Sequence, residues 1–414
     1  MTANYWSLAL GAVLSSPLFF LLTLHLDRTG ATQWLLNKDL APVATADTAR
    51  DLAGVIAGID AAFITLYFSI SLLVLTIAAG NLAVRLIDRW LAKRLVRVSI
   101  AGLSFTLIYA VLTMAAIDSE AELADTPLLT FAFTVAFLLV NIAMLAVALH
   151  DLGRSMFIDQ EIDHLAQEAA STQAELEGTT PYSGSFAMTV GAPRNGYIEG
   201  VDLNRLERRL ASHQGTVRIC VAPGQHVFKG QALLALEHEI TDVGQIHDCI
   251  PIGPFRSNSQ GAVFQIRLLV EIAARALSPA INDFYTALAA ADALGEVMLG
   301  HGPIWVEEGL VPVRPQSPRI ELPGHDYRGL FERPLAAFRQ AAAPYPSVSI
   351  RMLGNIGRLI TLFREQECPD GLSRFLVNYS GELAEQACQN AETERDRADI
   401  RSALQNVRHA ADNT

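Results

Sequence analysis

Four long runs without a charged side chain constrain this chain more than any other feature. Ser7–Leu26 is 20 residues long with His25 as its one titratable group, and Ala61–Ala83, Ser99–Ile117 and Leu128–Leu149 hold 23, 19 and 22 residues with no charge. Each matches the ~20 residues that an α-helix needs to cross the hydrocarbon core of a bilayer. The first run has no basic leader and exceeds the ~7–15 apolar residues of a signal peptide, so it reads as a retained helix. Charge divides the chain at the end of the fourth run. Residues 1–149 carry 8 Lys/Arg and 10 Asp/Glu, whereas residues 150–414 carry 23 and 33. That split excludes a fully soluble enzyme and an all-membrane transporter, and a pI near 5.3 argues against a nucleic-acid partner.

The loops orient the helices. Arg85, Arg89, Lys93, Arg94 and Arg97 lie between the second and third runs against one acid, Asp88, while Asp118, Glu120, Glu122 and Asp125 lie between the third and fourth. The positive-inside rule then places the basic loop, both termini and everything after His150 in the cytoplasm. Cys220, Cys249, Cys368 and Cys388 form no C-x-x-C, so reduced thiols and no metal site are expected. Arg85, Arg89, Lys93 and Arg97 recur every four residues, a stripe suited to lipid headgroups or to docking on the acidic region.

At 100° per residue, Gly58, Ala62, Thr65, Ser69, Thr76 and Gly80 fall within roughly 60° on one face of the second helix. Two readings stand for this face: close packing against another helix, with hydroxyls bonded to i−4 carbonyls, or a weakly polar lining of an oligomer's pore. Asp60 reads as an outer-interface residue. Asn141, deep in the fourth run, calls for an interhelical hydrogen bond or a pore-facing position.

After the fourth helix, 150–184 reads as a connector: an amphipathic helix over Asp151–Leu176, with Met156, Ile158, Ile162 and Leu165 on its apolar side, broken by Gly178–Gly184. Short β-rich runs at Tyr197-Ile198, Val217–Val221 and Leu233–Leu236, separated by Pro223-Gly224 and Lys229-Gly230, place a small β module at 185–240. Its strand–turn pattern resembles lipoyl/biotinyl-like barrel-sandwich domains. Lys229 belongs to the later turn, so the resemblance implies a scaffold and no cofactor. Residues 241–414 read as mainly helical, with a short hairpin around Val311–Leu322 and four helices from Tyr327 onward, the last of them poor in apolar positions. Glu237, His238, Glu239, Asp242 and His247 are dense in ligand types, but their spacing fits no metal motif. The fold class is therefore a membrane α-helical part with four transmembrane helices plus a cytoplasmic α+β region.

Phe264–Ala287 (FQIRLLVEIAARALSPAINDFYTA) resembles the signature of the bacterial "domain of unknown function 2254" family of predicted membrane proteins. The A-L-S-P-x-I-N-D string carries the resemblance, and Thr76–Leu86, Arg194–Asp202 and Val221–Leu233 follow the family's order. Ala280 stands where the family usually has glycine, and Phe284-Tyr285 where it usually has Pro-Phe. The resemblance implies four membrane helices and a cytoplasmic tail, and it brings no activity. Arg275, Ser278, Pro279, Asn282 and Asp283 then read either as a helix–turn–helix corner or as an anion site at a helix start.

No Walker loop, H-E-x-x-H or G-x-S-x-G occurs, so no catalytic residues are expected. Two functions follow as expectations. One is an oligomeric channel-like or transport-associated protein, its second helix facing the axis and its tail an assembly or gating domain. The other is a membrane-anchored scaffold or sensor that binds a protein or small ligand. The expected partners are the bilayer and further copies of the chain.

Overall fold

The structure, a computed structural model, describes residues 7–81, 93–154, 158–171, 175–211, 213–240, 243–256 and 260–412. The chain divides into two compact units, Met1–Phe157 and Ile158–Thr414.

Among the described residues, four helices are long and apolar enough to cross a membrane: Ser7–Asn37, Ala46–Leu73, Arg94–Ala116 and Leu128–Gly153. The first comprises α1 (Ser7–Leu26), a π turn at Asp27–Ala31 and α2 (Thr32–Asn37). The others are α3 (Ala46–Asn81), α4 (Arg94–Ala116) and α5 (Leu128–Arg154). The second helix starts fifteen residues earlier than its uncharged run, because Thr45 Oγ1 accepts the Thr48 N–H at 3.2 Å and caps it. Residues 82–83 of that run lie outside the described residues. α4 packs against α1, α3 and α5, and α3 also packs against α5. Phe19, Phe105, Tyr109, Phe133 and Phe137 stack edge-on and tilted between α1, α4 and α5.

One side chain ties the ends of two spans together. Asp27 is buried, and its Oδ1 accepts Leu129 N at 2.9 Å and Thr32 Oγ1 at 2.8 Å. Its Oδ2 accepts Thr130 N at 2.9 Å and Thr130 Oγ1 at 2.7 Å. Asp27 thus caps α5 from about a hundred residues away, and its negative charge suits the helix's positive end.

The second unit joins helices to two sheets. Its first helix, α6 (Ile158–Ala170), is no free stalk: Ile162, Leu165, Ala166 and Ala169 are buried, and, past the short helices α7 (Leu203–Arg209) and α8 (Gly244–His247) in the sequence, it packs on α9 (Ala262–Ala276) and α10 (Phe284–Gly300). Met156 lies outside the described residues. The strands are β1 (Glu177–Thr179), β2 (Met188–Gly191), β3 (Gly196–Ile198), β4 (Val217–Ile219), β5 (His226–Val227), β6 (Ala232–Leu236), β7 (Ile252–Gly253), β8 (Val311–Arg314) and β9 (Ser317–Glu321). They form a six-stranded sheet, β1-β8-β9-β4-β6-β2, and a three-stranded sheet, β5-β3-β7. The larger sheet is antiparallel except where β4 runs parallel to β9.

This corrects the picture of a self-contained module at 185–240. The sheet recruits β1 from the supposed linker and the hairpin β8–β9 from beyond position 310, and the strands do not close into a barrel. One apolar core, including Ile198, Val217, Val227, Leu234, Ile252 and Ile320, is shared by both sheets. Glu321, 2% exposed, ties β9 to β4 and to the segment between β1 and β2: it accepts Arg218 Nε at 2.5 Å and the Tyr182 N–H at 2.5 Å.

The C-terminal helices are α11 (Tyr327–Ala342), α12 (Pro346–Glu365), α13 (Asp370–Asn390) and α14 (Glu394–Asp412). The last is polar, yet it packs on α12 and α13 through the buried Ile400 and Val407. Arg364 Nη2 donates to the carbonyls of Ala410 and Ala411 at 2.7 and 3.0 Å, satisfying its C-terminal end.

A buried histidine, His301, and a half-buried one, His325, make this unit sensitive to acid. His301 is 1% exposed and its Nδ1 meets Val297 O at 2.9 Å, while His325 Nε2 meets Val221 O at 3.0 Å. Burial pushes both imidazoles below the ordinary value of 6.5, against the opposing pull of those carbonyls. The fold therefore favours the neutral rings. Their contribution is complete above 6.5 and is lost as pH falls from there through the lowered folded values, since the unfolded chain takes up protons first. Asp326, raised by burial, acts in the opposite sense nearer its ordinary 3.8. Thermal melts will show a lower Tm at about pH 5.5 than at about pH 7.5, and H301F/H325Q will flatten that difference. An unchanged pH dependence in the double variant would refute this origin.

Candidate functional site

α3 carries two kinds of polar group on opposite sides. Its buried positions, Ala49, Ala53, Ile56, Asp60, Tyr67 and Ser71, follow the three-to-four spacing of a face turned into the four-helix unit. Gly58, Ala62, Thr65, Ser69 and Thr76 lie about 140–200° around the helix from Asp60 at ~100° per residue, and all five are exposed. A Cβ placed on Gly58 would meet nothing within 4 Å. The close packing expected for this face is thus not made within the chain at these positions. The surroundings of Gly80 lie outside the described residues. The three hydroxyls bond back along the helix, Thr65 Oγ1 to Ala61 O at 2.9 Å, Ser69 Oγ to Thr65 O at 2.8 Å and Thr76 Oγ1 to Leu72 O at 2.7 Å. Their donors are satisfied, so the face carries small side chains and glycine without unmet hydrogen bonds.

On the inward side, Asn141 Nδ2 of α5 donates to Asp60 Oδ1 at 3.2 Å. Asp60 is fully buried and Asn141 is 2% exposed. Oδ2 of Asp60 has no hydrogen-bond partner among the described residues. Gly102 of α4 stands beside the pair, where a Cβ would come within 3.2 Å of Asn141 Oδ1 and 2.6 Å of Met144 Cε. Asn141 lies two to three residues from the middle of Leu128–Leu149, roughly 4 Å at ~1.5 Å per residue. Asp60 is level with it, so the placement at the outer interface is corrected: the carboxyl sits within the span. The early start of α3 is the reason.

Of the basic stripe, Arg85 and Arg89 lie outside the described residues. Lys93 Nζ pairs with Asp151 Oδ2 at 3.3 Å, joining the ends of α4 and α5, and Arg97 follows in the first turn of α4. Such a half-exposed pair contributes little, ~0–1 kcal/mol.

The Arg275–Asp283 segment is a corner between α9 and α10. Arg275 occupies the last turn of α9, where a cation complements the carbonyl end. Pro279 lies in the turn; Ser278 O accepts Ile281 N at 3.0 Å and Asn282 N at 2.9 Å, and Asp283 N reaches back to Ala276 O at 2.8 Å. Asn282 takes a left-handed φ of 51°, a conformation asparagine tolerates. Asp283 caps α10, accepting Thr286 N at 3.2 Å and Thr286 Oγ1 at 2.6 Å. Tyr345 Oη braces the corner on Leu277 O at 2.5 Å. The Asp283 carboxylate fills the place an anion would take at this helix start. Asp283→Ala will cost about 1 kcal/mol of stability, read as a lower denaturation midpoint; no change would argue against the capping role.

The acidic and histidine residues after β6 also serve the backbone. Glu237 takes Thr216 N at 2.7 Å, which holds its carboxyl below the ordinary carboxylate range, and His247 Nε2 meets Gly191 O at 2.9 Å. His238 gives its carbonyl to His213 Nε2 at 3.2 Å, Glu239 is exposed, and Asp242 lies outside the described residues. Sequence reasoning missed Asp27; for Asn141 it anticipated the interhelical hydrogen bond but not Asp60 as its partner. The one available signal was a lone carboxylate within or directly after a long apolar run.

These features define a multi-span helical membrane protein carrying a mixed α/β unit. A family model, "Predicted membrane protein (DUF2254)", matches residues 2–357, and the chain belongs to this family. It is similar to the uncharacterized proteins Rv1290c of Mycobacterium tuberculosis and Mb1321c of Mycobacterium bovis, each 29% identical over 264 residues, 58% of this chain and 50% of the relative. The chain thus spans about half the length of these relatives. No solved structure matches it.

Proposed function

We propose that the protein is a homo-oligomeric, channel-like or transport-associated protein of the bacterial inner membrane. In this reading α3 faces the symmetry axis, and the α/β unit is a cytoplasmic assembly or gating domain. The observation that carries it is the exposure of Gly58, Ala62, Thr65, Ser69 and Thr76 on one side of a candidate span. Leucine-rich surfaces suit lipid, whereas small residues let helix backbones of neighbouring copies approach closely. Back-bonded hydroxyls leave oxygen lone pairs toward an axis without an unmet donor. The acidic connection 118–125 and the basic segment 85–97 orient both termini to the cytoplasm. The bilayer and further copies of the chain are its partners, and no catalytic step or cofactor is assigned. Mass determination in nanodiscs tests this reading: a closed oligomer is expected, and a monomer at all lipid ratios would contradict it.

A second reading, a membrane-anchored scaffold or sensor, draws on the α/β unit. Arg256 stacks over Tyr197 at 5.2 Å, Tyr197 meets His226 at 5.0 Å, and His226 meets the exposed Phe228 at 5.0 Å. An exposed row of rings and a cation of this kind suits a protein partner. A monomeric membrane unit would favour it.

A further inference from the structure

We propose that Asp60 and Asn141 form an intramembrane site for an exchangeable monovalent cation, either a proton or an alkali ion, carried on the free Oδ2 of Asp60. The site lies within one four-helix unit, so it does not depend on the oligomeric reading.

The argument starts from charge balance. Asp60 is fully buried in α3, level with the middle of span four. One neutral donor, Asn141 Nδ2, reaches Oδ1 at 3.2 Å, and nothing among the described residues reaches Oδ2. An amide supplies no charge. The faces packed against α3 supply none either: residues 98–116 of α4 and 128–149 of α5 contain no Asp, Glu, Lys, Arg or His. Tyr67 and Tyr109 are the other titratable side chains in these stretches of α4 and α5 and in residues 52–81 of α3, and neither forms a cation; Arg50, at the start of α3, is ten residues from Asp60, roughly 15 Å at ~1.5 Å per residue. Arg97 on α4 is five residues along from Gly102 and His150 on α5 is nine along from Asn141, roughly 8 and 13 Å at ~1.5 Å per residue. An anion in hydrocarbon without a countercharge is not sustained. Asp60 forms no ion pair among the described residues, so the countercharge comes from an added cation on the one oxygen left open. Gly102 lets α4 approach the pair closely, the place of a Cβ being taken by Met144 Cε and Asn141 Oδ1. A structural carboxyl would instead have both oxygens engaged, as Asp27 has with four donors.

Dicyclohexylcarbodiimide, which attacks carboxyl groups in apolar surroundings when they carry a proton, tests this on the full chain in nanodiscs. Peptide mass spectrometry locates the adduct, so the wild-type protein itself provides the readout. D60N, close to isosteric, serves as a control for site assignment. The expected result is an adduct on Asp60 that falls at least roughly ten-fold either between about pH 5 and about pH 9 or on adding sodium or lithium at fixed pH and ionic strength. Loss with pH alone identifies the proton; protection by an alkali ion identifies the metal cation. Absence of an adduct on Asp60 under all these conditions, or labelling indifferent to both pH and alkali ion, overturns the proposal.

Discussion

Asp27→Ala will lower the stability of the membrane unit by about 2–4 kcal/mol, the largest single-residue effect expected in it. The carboxylate takes two backbone donors, Leu129 N and Thr130 N, and two hydroxyls, Thr32 Oγ1 and Thr130 Oγ1, at 2.7–2.9 Å. Removing it leaves the first turn of α5 without its acceptor in a buried position, and orphaned buried donors cost ~1–3 kcal/mol each before relaxation. Asp27→Asn gives no full rescue. Each oxygen faces two donors, so an amide NH₂ in either place confronts N–H and O–H groups with another donor. Both variants will therefore melt earlier in detergent, with alanine the more severe. A loss below about 0.5 kcal/mol for alanine would contradict the capping account.

Under the proposed reading, Gly58→Leu will dissociate the oligomer while leaving the four-helix unit folded. The two effects separate because Gly58 is exposed and an added Cβ meets no atom of its own chain within 4 Å. A leucine there costs the isolated unit nothing in packing, but it pushes apart two backbones that meet at a small-residue ladder. Size-exclusion and mass measurements will show a shift to smaller species, with Tm of the unit held within about 1 kcal/mol of stability. Val55→Leu, also on an exposed stretch of α3 but a larger side chain to begin with, should leave the assembly in place. An unchanged oligomer in Gly58→Leu would remove α3 from the interface.

Local signals carried much of this architecture. Freedom from charge over about twenty residues located the membrane helices, and cap residues located α10, where Asp283 bonds Thr286 as the N-D-F run implied. Period alone put Thr65, Ser69 and Thr76 on one side of α3. What period could not show is which way that side points, because burial depends on where α4 and α5 pack. The start of α3 was hidden for a related reason: Asp47, Arg50 and Asp51 interrupt the apolar run while remaining helical. Asp60 consequently read as a residue of the helix end although it lies within the span. The sheet was the least legible part. β1 pairs with β8, Glu177 opposite Val313, and β4 runs parallel to β9 with Val217 opposite Ile320. Pairings across more than a hundred residues leave no mark in local periodicity. Asp27 escaped notice likewise, since the helix it caps begins at Leu128.

The central claim is that the Gly58–Thr76 side of α3 faces a water-accessible axis between copies of the chain. The most direct test introduces single cysteines at Thr65, Ser69 and Thr76, in a background with Cys220, Cys249, Cys368 and Cys388 replaced. The oligomer in nanodiscs is then exposed to a charged, membrane-impermeant thiosulfonate. The account predicts modification at all three positions, with cysteines at the exposed, lipid-facing Leu139 and Val147 of α5 remaining protected. Protection at Thr65, Ser69 and Thr76 together would contradict it.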